Sequence, residues 1–192
     1  MYNIVALMGE SGSGKDTVLK ETLIQFPDLH KIITSTSRPK REKEEDGVNY
    51  FYYTDEEFFE KIYNDEMIDY QVFNNWQYGT ELKALDENKI NIGVFSPNAI
   101  RTLLKRKDCN VFIVWVRTTD KERLLRQLNR EENPNVREIV RRATTDYEDF
   151  DNIEFDYFEV DNEIGLALLA TPTLIMSQTE TRFGLGQESS ID

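Results

Sequence analysis

Gly9-Glu10-Ser11-Gly12-Ser13-Gly14-Lys15-Asp16-Thr17 follows the apolar run Ile4 to Met8 and precedes a helical pattern over roughly Asp16 to Phe26. Strand, glycine-rich turn, lysine and helix in that order read as a phosphate-binding loop. Consecutive backbone N–H groups must turn inward around phosphate oxygens, and a Cβ at Gly9, Gly12 or Gly14 would obstruct that wrap. Lys15 adds a mobile positive charge, and the helix aims its unpaired N–H groups at the same anion. A ligand-free strand-to-helix turn would use the glycines but not the lysine. The residue after the lysine, usually the Ser or Thr that ligates Mg²⁺, is Asp16, so the metal hydroxyl is expected from Thr17, with Asp16 either acting on the metal through water or complementing the dipole at the helix start.

Composition narrows the partners. The 192 residues suit one domain with inserted pieces, and a net charge of −13 argues against a general nucleic-acid binder, which needs a basic face. The single cysteine, Cys109, excludes an internal disulfide framework or a multi-cysteine metal site and reads as a small apolar residue beside a strand. No apolar run approaches ~20 residues, and no secretory signal precedes the first strand. The expectation is a soluble cytoplasmic protein, monomer or homodimer, with no membrane or nucleic-acid partner. His30 lies in a polar turn and is not expected in catalysis.

Apolar runs at Ile4 to Met8, Ile32 to Thr34, Ile90 to Phe95, Val111 to Val116 and Tyr157 to Val160 read as buried strands. Between them, Leu19, Leu23 and Phe26, then Ile100, Leu103 and Leu104, then Leu124, Leu125 and Leu128 space the apolar faces of helices. This alternation predicts an α/β fold with a five-stranded parallel sheet flanked by helices and ligands at the carboxyl ends of the strands. Residues 36–80 break the rhythm with a charged loop, an aromatic strand at Tyr50 to Tyr53, a helix whose Thr54 and Glu57 have capping-box spacing, and strand-like pieces around Ile68 to Phe73. A second interruption from Glu131 to Asn135 lies between helices bearing Arg126, Arg130, Arg137, Arg141 and Arg142. Each arginine taken singly fits a solvated helix face as well as a ligand.

Ser37-Arg38-Pro39-Lys40-Arg41, with Tyr50 downstream, suits a phosphate monoester, because a guanidinium fork matches phosphate oxygens and a tyrosine hydroxyl adds a donor. Together with Glu44, Asp46-Gly47, Glu57-Phe58 and Tyr78-Gly79-Thr80, this pattern resembles the guanylate kinase family over about residues 3–162, most specifically over residues 34–80. The resemblance implies a P-loop nucleoside monophosphate kinase fold: core 1–34, 81–129 and 143–183, an acceptor-binding insertion 35–80, a lid at about 130–142, and a flexible tail 184–192. It implies ATP as donor, held by residues 9 and 11–17 of the loop, and Mg²⁺. Arg38, Arg41, Tyr50 and Tyr78 match the acceptor-phosphate contacts, and Thr34, Asp69 and Thr80 match a Ser, a Glu and a Ser that read guanine. Arg130 and Arg142 match lid arginines that act in catalysis with Lys15 and Arg38, with Arg137 and Arg141 as further candidates.

Two departures accompany the resemblance. The family's paired aspartates at a strand end fall on Val94-Phe95-Ser96-Pro97-Asn98-Ala99, which has no carboxylate and puts Ser96 at the acceptor site. The family's closing helix falls on Ile164 to Ala170, expected to give barely two turns before Pro172, with no match beyond. The preferred function is a kinase of GMP or dGMP; the alternatives are a ribose bisphosphate phosphokinase-like enzyme, which shares Gly12-Ser13-Gly14-Lys15-Asp16 but lacks the Arg41 to Tyr50 pattern, and a non-catalytic guanylate kinase-like binding module.

Overall fold

Five consecutive apolar residues, Ile4 to Met8, are all fully buried, as expected of a strand covered on both faces. They belong to β1 (Tyr2–Met8), followed by α1 (Lys15–Gln25), β2 (His30–Lys31), β3 (Ser35–Thr36), β4 (Phe51–Tyr52), α2 (Asp55–Tyr63), β5 (Met67–Phe73) and β6 (Trp76–Glu81). The chain continues through β7 (Ile90–Val94), α3 (Pro97–Leu103), β8 (Cys109–Arg117), α4 (Asp120–Leu128), α5 (Val136–Phe150), β9 (Phe158–Asp161) and α6 (Ala167–Phe183). The computed structural model describes residues 1–42, 44–73, 75–130, 132–162 and 167–185.

The core is a parallel sheet in the order β2-β7-β1-β8-β9, with β1 central. On one face Ile4, Ala6 and Met8 meet Ile100, Leu103, Ile113 and Trp115. On the other, Val5 and Leu7 meet Val18 of α1 and Ile175 and Met176 of α6. Because the strands run the same way, the loop after β1, the start of α3, Arg117 and Asn162 all lie at the carboxyl ends of the strands. A second sheet, β4-β3-β6-β5, is built from residues 35–81. Thr54 and Glu57 form the expected reciprocal cap at the start of α2, with contacts of 2.8 and 3.1 Å.

Three expectations give way. The second core strand is His30–Lys31, not Ile32 to Thr34, because the Thr34 carbonyl already accepts from the Phe51 N–H at 2.9 Å as the chain enters the other sheet. On α4 the buried residues are Arg123 and Gln127, while Leu124, Leu125 and Leu128 are 37–42% exposed. The polar contacts of Arg123 and Gln127 with the phosphate loop, described below, turn that face inward. Leu104 is likewise exposed next to buried Ile100 and Leu103.

The last helix also runs well beyond Pro172, which stands inside α6. A proline forfeits one main-chain hydrogen bond near a helix start, and the packing of Ile175 and Met176 in the core maintains the helix. Of the expected tail, residues 186–192 lie outside the described residues. Ile175→Ala removes a fully buried side chain and is expected to destabilise the protein by about 2–5 kcal/mol, read as a lower denaturant midpoint at unchanged slope.

Candidate active site

Gly12 and Gly14 have φ of +84° and +93°, the left-handed region that side chains disfavour. Both also lack room. A Cβ on Gly12 would stand 2.5 Å from the Arg123 carbonyl, and one on Gly14 would strike the Asn162 side-chain amide. These glycines therefore admit the close approach of α4 at Arg123 and of Asn162.

Those neighbours grip the loop by its carbonyls. Asn162 Nδ2 and Arg126 Nη1 donate to the Ser13 carbonyl at 2.8 and 3.2 Å, and Gln127 Nε2 donates to that of Ser11 at 3.2 Å. Arg126 Nη2 also donates to the Asn162 carbonyl at 2.7 Å. Glu10 accepts from the Trp115 indole at 3.1 Å and pairs with Arg123 at 3.3 Å. Asp146 of α5 accepts from the Ser11 N–H and hydroxyl at 2.8 and 3.3 Å. Burial pushes the Asp146 carboxyl up, against the pull of Ser11, Arg123 and Lys15. Gly14 is the N-cap of α1, so the N–H groups of its first turn are free of intrahelical partners. Lys15 is half-buried there, while Asp16 and Thr17 are exposed.

Arg38 makes a bidentate contact with Glu44 at 2.8 and 2.9 Å, and the Tyr52 hydroxyl donates to the same carboxylate at 2.8 Å. Burial raises the Glu44 carboxyl, but the Arg41 N–H, Arg38 and Tyr52 outweigh it and hold the group at about 2. The Arg38 guanidinium lies 5.7 Å from the Tyr50 ring centroid, and Tyr50 meets Tyr78 edge-on at 6.2 Å. Arg38, Tyr50 and Tyr78 thus come together. Arg41 is exposed, and its N–H, rather than its side chain, makes the contact with Glu44.

Asp69 and Thr80 are partners across β5 and β6. Asp69 Oδ1 and Thr80 Oγ1 are buried with no hydrogen-bond partner among the described residues. Burial pushes the Asp69 carboxyl up to about 6, with the Thr80 hydroxyl and N–H working in the opposite direction. Thr34 lines a cavity of about 600 Å³ shared with Asp16, Tyr50 and Val94. The Ser96 hydroxyl caps α3, accepting from the Ala99 N–H at 3.2 Å, and donates to Gln71 at 3.0 Å.

The arginines of the second interruption are dispersed. Arg130 and Arg137 are exposed. Arg141 and Arg142 both bond Glu138, at 2.7 and 2.8 Å, and Arg141, against burial and with help from Arg142, holds that carboxyl at about 2. Arg141 reaches the second sheet, its guanidinium lying 4.8 Å from the Phe73 ring centroid.

Sequence reasoning missed Arg123, Gln127, Asn162 and Asp146 as the loop's supports. The signal available was a buried-type i, i+4 pair of polar residues on α4. It also missed Glu81, 1% exposed, which accepts from Ser35 and Tyr53 at 2.7 and 2.9 Å and pairs with Lys61 and Lys83 at 2.8 and 3.1 Å. Burial raises the Glu81 carboxyl, and those four partners more than reverse it. Glu81 directly follows Thr80, so this network braces the strand that carries it.

A glycine–lysine loop at the carboxyl end of β1 and a separate arginine–tyrosine cluster beside the second sheet are the parts that a P-loop nucleoside monophosphate kinase requires, and that is the class of this fold. The family profile described as guanylate kinase matches residues 1–178, and the chain belongs to that family. It is 26% identical to guanylate kinase from Campylobacter jejuni strain RM1221 over 98% of this chain and 96% of the relative. It is 29% identical to guanylate kinase from Thermotoga maritima over 91% and 86%. The crystal structure of guanylate kinase from Anaplasma phagocytophilum superposes with a TM-score of 0.67 at 18% identity, covering 98% of this chain and 88% of that one. The match runs into α6 and ends at residue 178, so the family likeness extends beyond the expected limit near residue 162.

Proposed function

We propose that the chain transfers the γ-phosphoryl group of ATP to GMP or dGMP, giving the corresponding diphosphate. The family's reaction is ATP-dependent phosphorylation of GMP to GDP. The observation that carries the residue assignment is the buried pair Asp69 Oδ1 and Thr80 Oγ1, without a hydrogen-bond partner among the described residues, in the sheet that holds Tyr78 and from whose strand β3 the chain leads to Arg38. A carboxylate accepts from guanine N1–H and its exocyclic amine, while a threonine hydroxyl donates to O6.

The roles divide by charge. Loop N–H groups and Lys15 hold the donor β and γ phosphates; Arg38, Arg41, Tyr50 and Tyr78 hold the acceptor phosphate; Arg130 and Arg142 close over the transferring group. Residues 35–80 act as the acceptor-binding insertion and about 130–142 as the lid; their closure excludes water. Glu44 and Glu138 keep Arg38 and Arg142 oriented until phosphate oxygens compete for them. No general base is needed.

Among the described residues no three His, Cys, Asp or Glu side chains converge on a metal site. Mg²⁺ arriving on the donor phosphates needs only one or two protein oxygens. Thr17 and Asp16, exposed in the first turn of α1, offer ligands of that hard type. When bound, the ion neutralises charge between the β and γ phosphates. No described helix is long and apolar enough to cross a membrane, and a cytoplasmic monomer or homodimer is the proposed working form.

A coupled ADP-release assay across ribo- and deoxynucleoside monophosphates and ribose bisphosphate tests the reading. Activity confined to GMP and dGMP is expected. Preference for ribose bisphosphate, or ATP binding without turnover on any acceptor, would replace it with one of the other two functions.

A further inference from the structure

We propose that Asp146 is a positioning residue that ties helix α5 to the phosphate loop and so sets where Arg142 meets the transferring phosphoryl group. The inference rests on the reading of the 130–142 segment as the lid.

Asp146 Oδ2 accepts from the Ser11 N–H at 2.8 Å, and Oδ1 accepts from the Ser11 hydroxyl at 3.3 Å. Arg123 Nη2 lies 3.5 Å from Oδ2, and the same guanidinium pairs with Glu10 at 3.3 Å. Arg123 is 3% exposed, so this charge array is locked against the loop at both Glu10 and Ser11. Asp146 therefore joins three elements: the loop, α4 and α5.

Arg142 stands four residues earlier on α5, on the same face and about 6 Å back along the axis. The C-terminal part of α5 is anchored, with Phe150 5.4 Å from the Trp115 ring centroid. Its N-terminal part is held by buried Ile139 and by Arg141 over the Phe73 ring at 4.8 Å, while Val136, Arg137 and Val140 are exposed. The Asp146–Ser11 contact is what ties this helix to the phosphate loop itself. Releasing that contact leaves Arg142 attached to Glu138 on its own helix, so the arginine keeps its rotamer but loses its register against Lys15.

Asp146→Asn keeps the shape and an acceptor but removes the charge that binds Arg123 and the Ser11 N–H strongly. In the full-length protein it is expected to lower kcat about tenfold with the KM for ATP within about twofold of the parent. In an Arg142→Ala background the same change is expected to cost less than about twofold, since a contact that works through Arg142 has nothing left to position. Hydrogen exchange on the free protein supplies a readout without substrate: amides of residues 136–142 should exchange about tenfold faster in Asp146→Asn, with β1 and β8 unchanged. Should that variant lose its fold, Ser11→Ala, which removes one of the two contacts, carries the same comparison. Equal losses in both backgrounds, a loss expressed in the KM for ATP, or unchanged exchange in α5 would overturn the proposal. A wild-type protein inactive on every guanine nucleotide would strike the acceptor assignment instead, leaving the exchange result to decide the role of Asp146.

Discussion

Lys15→Ala is expected to reduce kcat by about 10³-fold or more, with the melting midpoint held within a few degrees. The two halves of that expectation have separate causes. The Lys15 side chain makes no hydrogen bond or ion pair among the described residues, so the fold loses little when the ammonium goes. The loop's shape depends instead on Asn162, Arg126, Gln127 and Asp146, which hold the carbonyls of Ser11 and Ser13 and the N–H of Ser11. Turnover is different. The γ-phosphoryl group spreads negative charge over its oxygens as it leaves, and a preorganised cation at the mouth of the loop acts on that charge where little water competes. Steady-state kinetics with circular dichroism melting checks both halves. A melting loss of ten degrees or more would make Lys15 part of the scaffold, and near-normal kcat would remove it from the reaction.

What could be read from the chain depended on the range of the interactions concerned. The loop was legible because its glycines, lysine and helix start are consecutive, and the interruption over residues 36–80 because Arg38 to Thr80 form a dense local pattern, although its pairing into a second sheet through β3 and β6 was not read. The burial of α4 was not. Leu124, Leu125 and Leu128 gave a convincing apolar face, yet Arg123 and Gln127 face inward because their partners lie more than a hundred residues away, at Glu10 and Ser11. Helix periodicity carries no information about a polar partner of that kind. The final helix failed for the opposite reason: Pro172 is a strong local stop, and long-range packing of Ile175 against Val18 and Val5 overrides it. Among the acceptor residues, Thr34, Asp69 and Thr80 were placed by resemblance, while the buried Glu81 brace beside Thr80 looked like one more surface carboxylate in a chain with 36 of them.

Asp69→Asn is the substitution whose effects on stability and on activity should have opposite signs. The buried carboxyl is pushed up to about 6 from an ordinary value of 3.8. A raised carboxyl pKa means that the folded state holds the proton more tightly than the unfolded chain. Stability from this group is therefore full below about pH 4, is lost as pH rises to about 6, and stays lost above it, a cost of roughly 3 kcal/mol at neutral pH. Asparagine does not ionise. The stability of Asp69→Asn relative to the parent should rise between pH 4 and 7 and then level off, as read by denaturant unfolding without ligand. Activity should move the other way. In the proposed role the carboxylate accepts from guanine N1–H and the exocyclic amine, so its loss is expected to reduce kcat/KM for GMP about 10²-fold and to narrow the gap between GMP and AMP. In the parent, kcat/KM for GMP should fall below about pH 6, because it reports the free enzyme, where a protonated Asp69 cannot accept from both donors. The kcat profile should hold to lower pH, since bound guanine stabilises the ionised form. Unchanged base discrimination in Asp69→Asn, together with a kcat/KM flat through pH 6, would assign base reading to another residue and leave Asp69 a buried acid with no part in recognition.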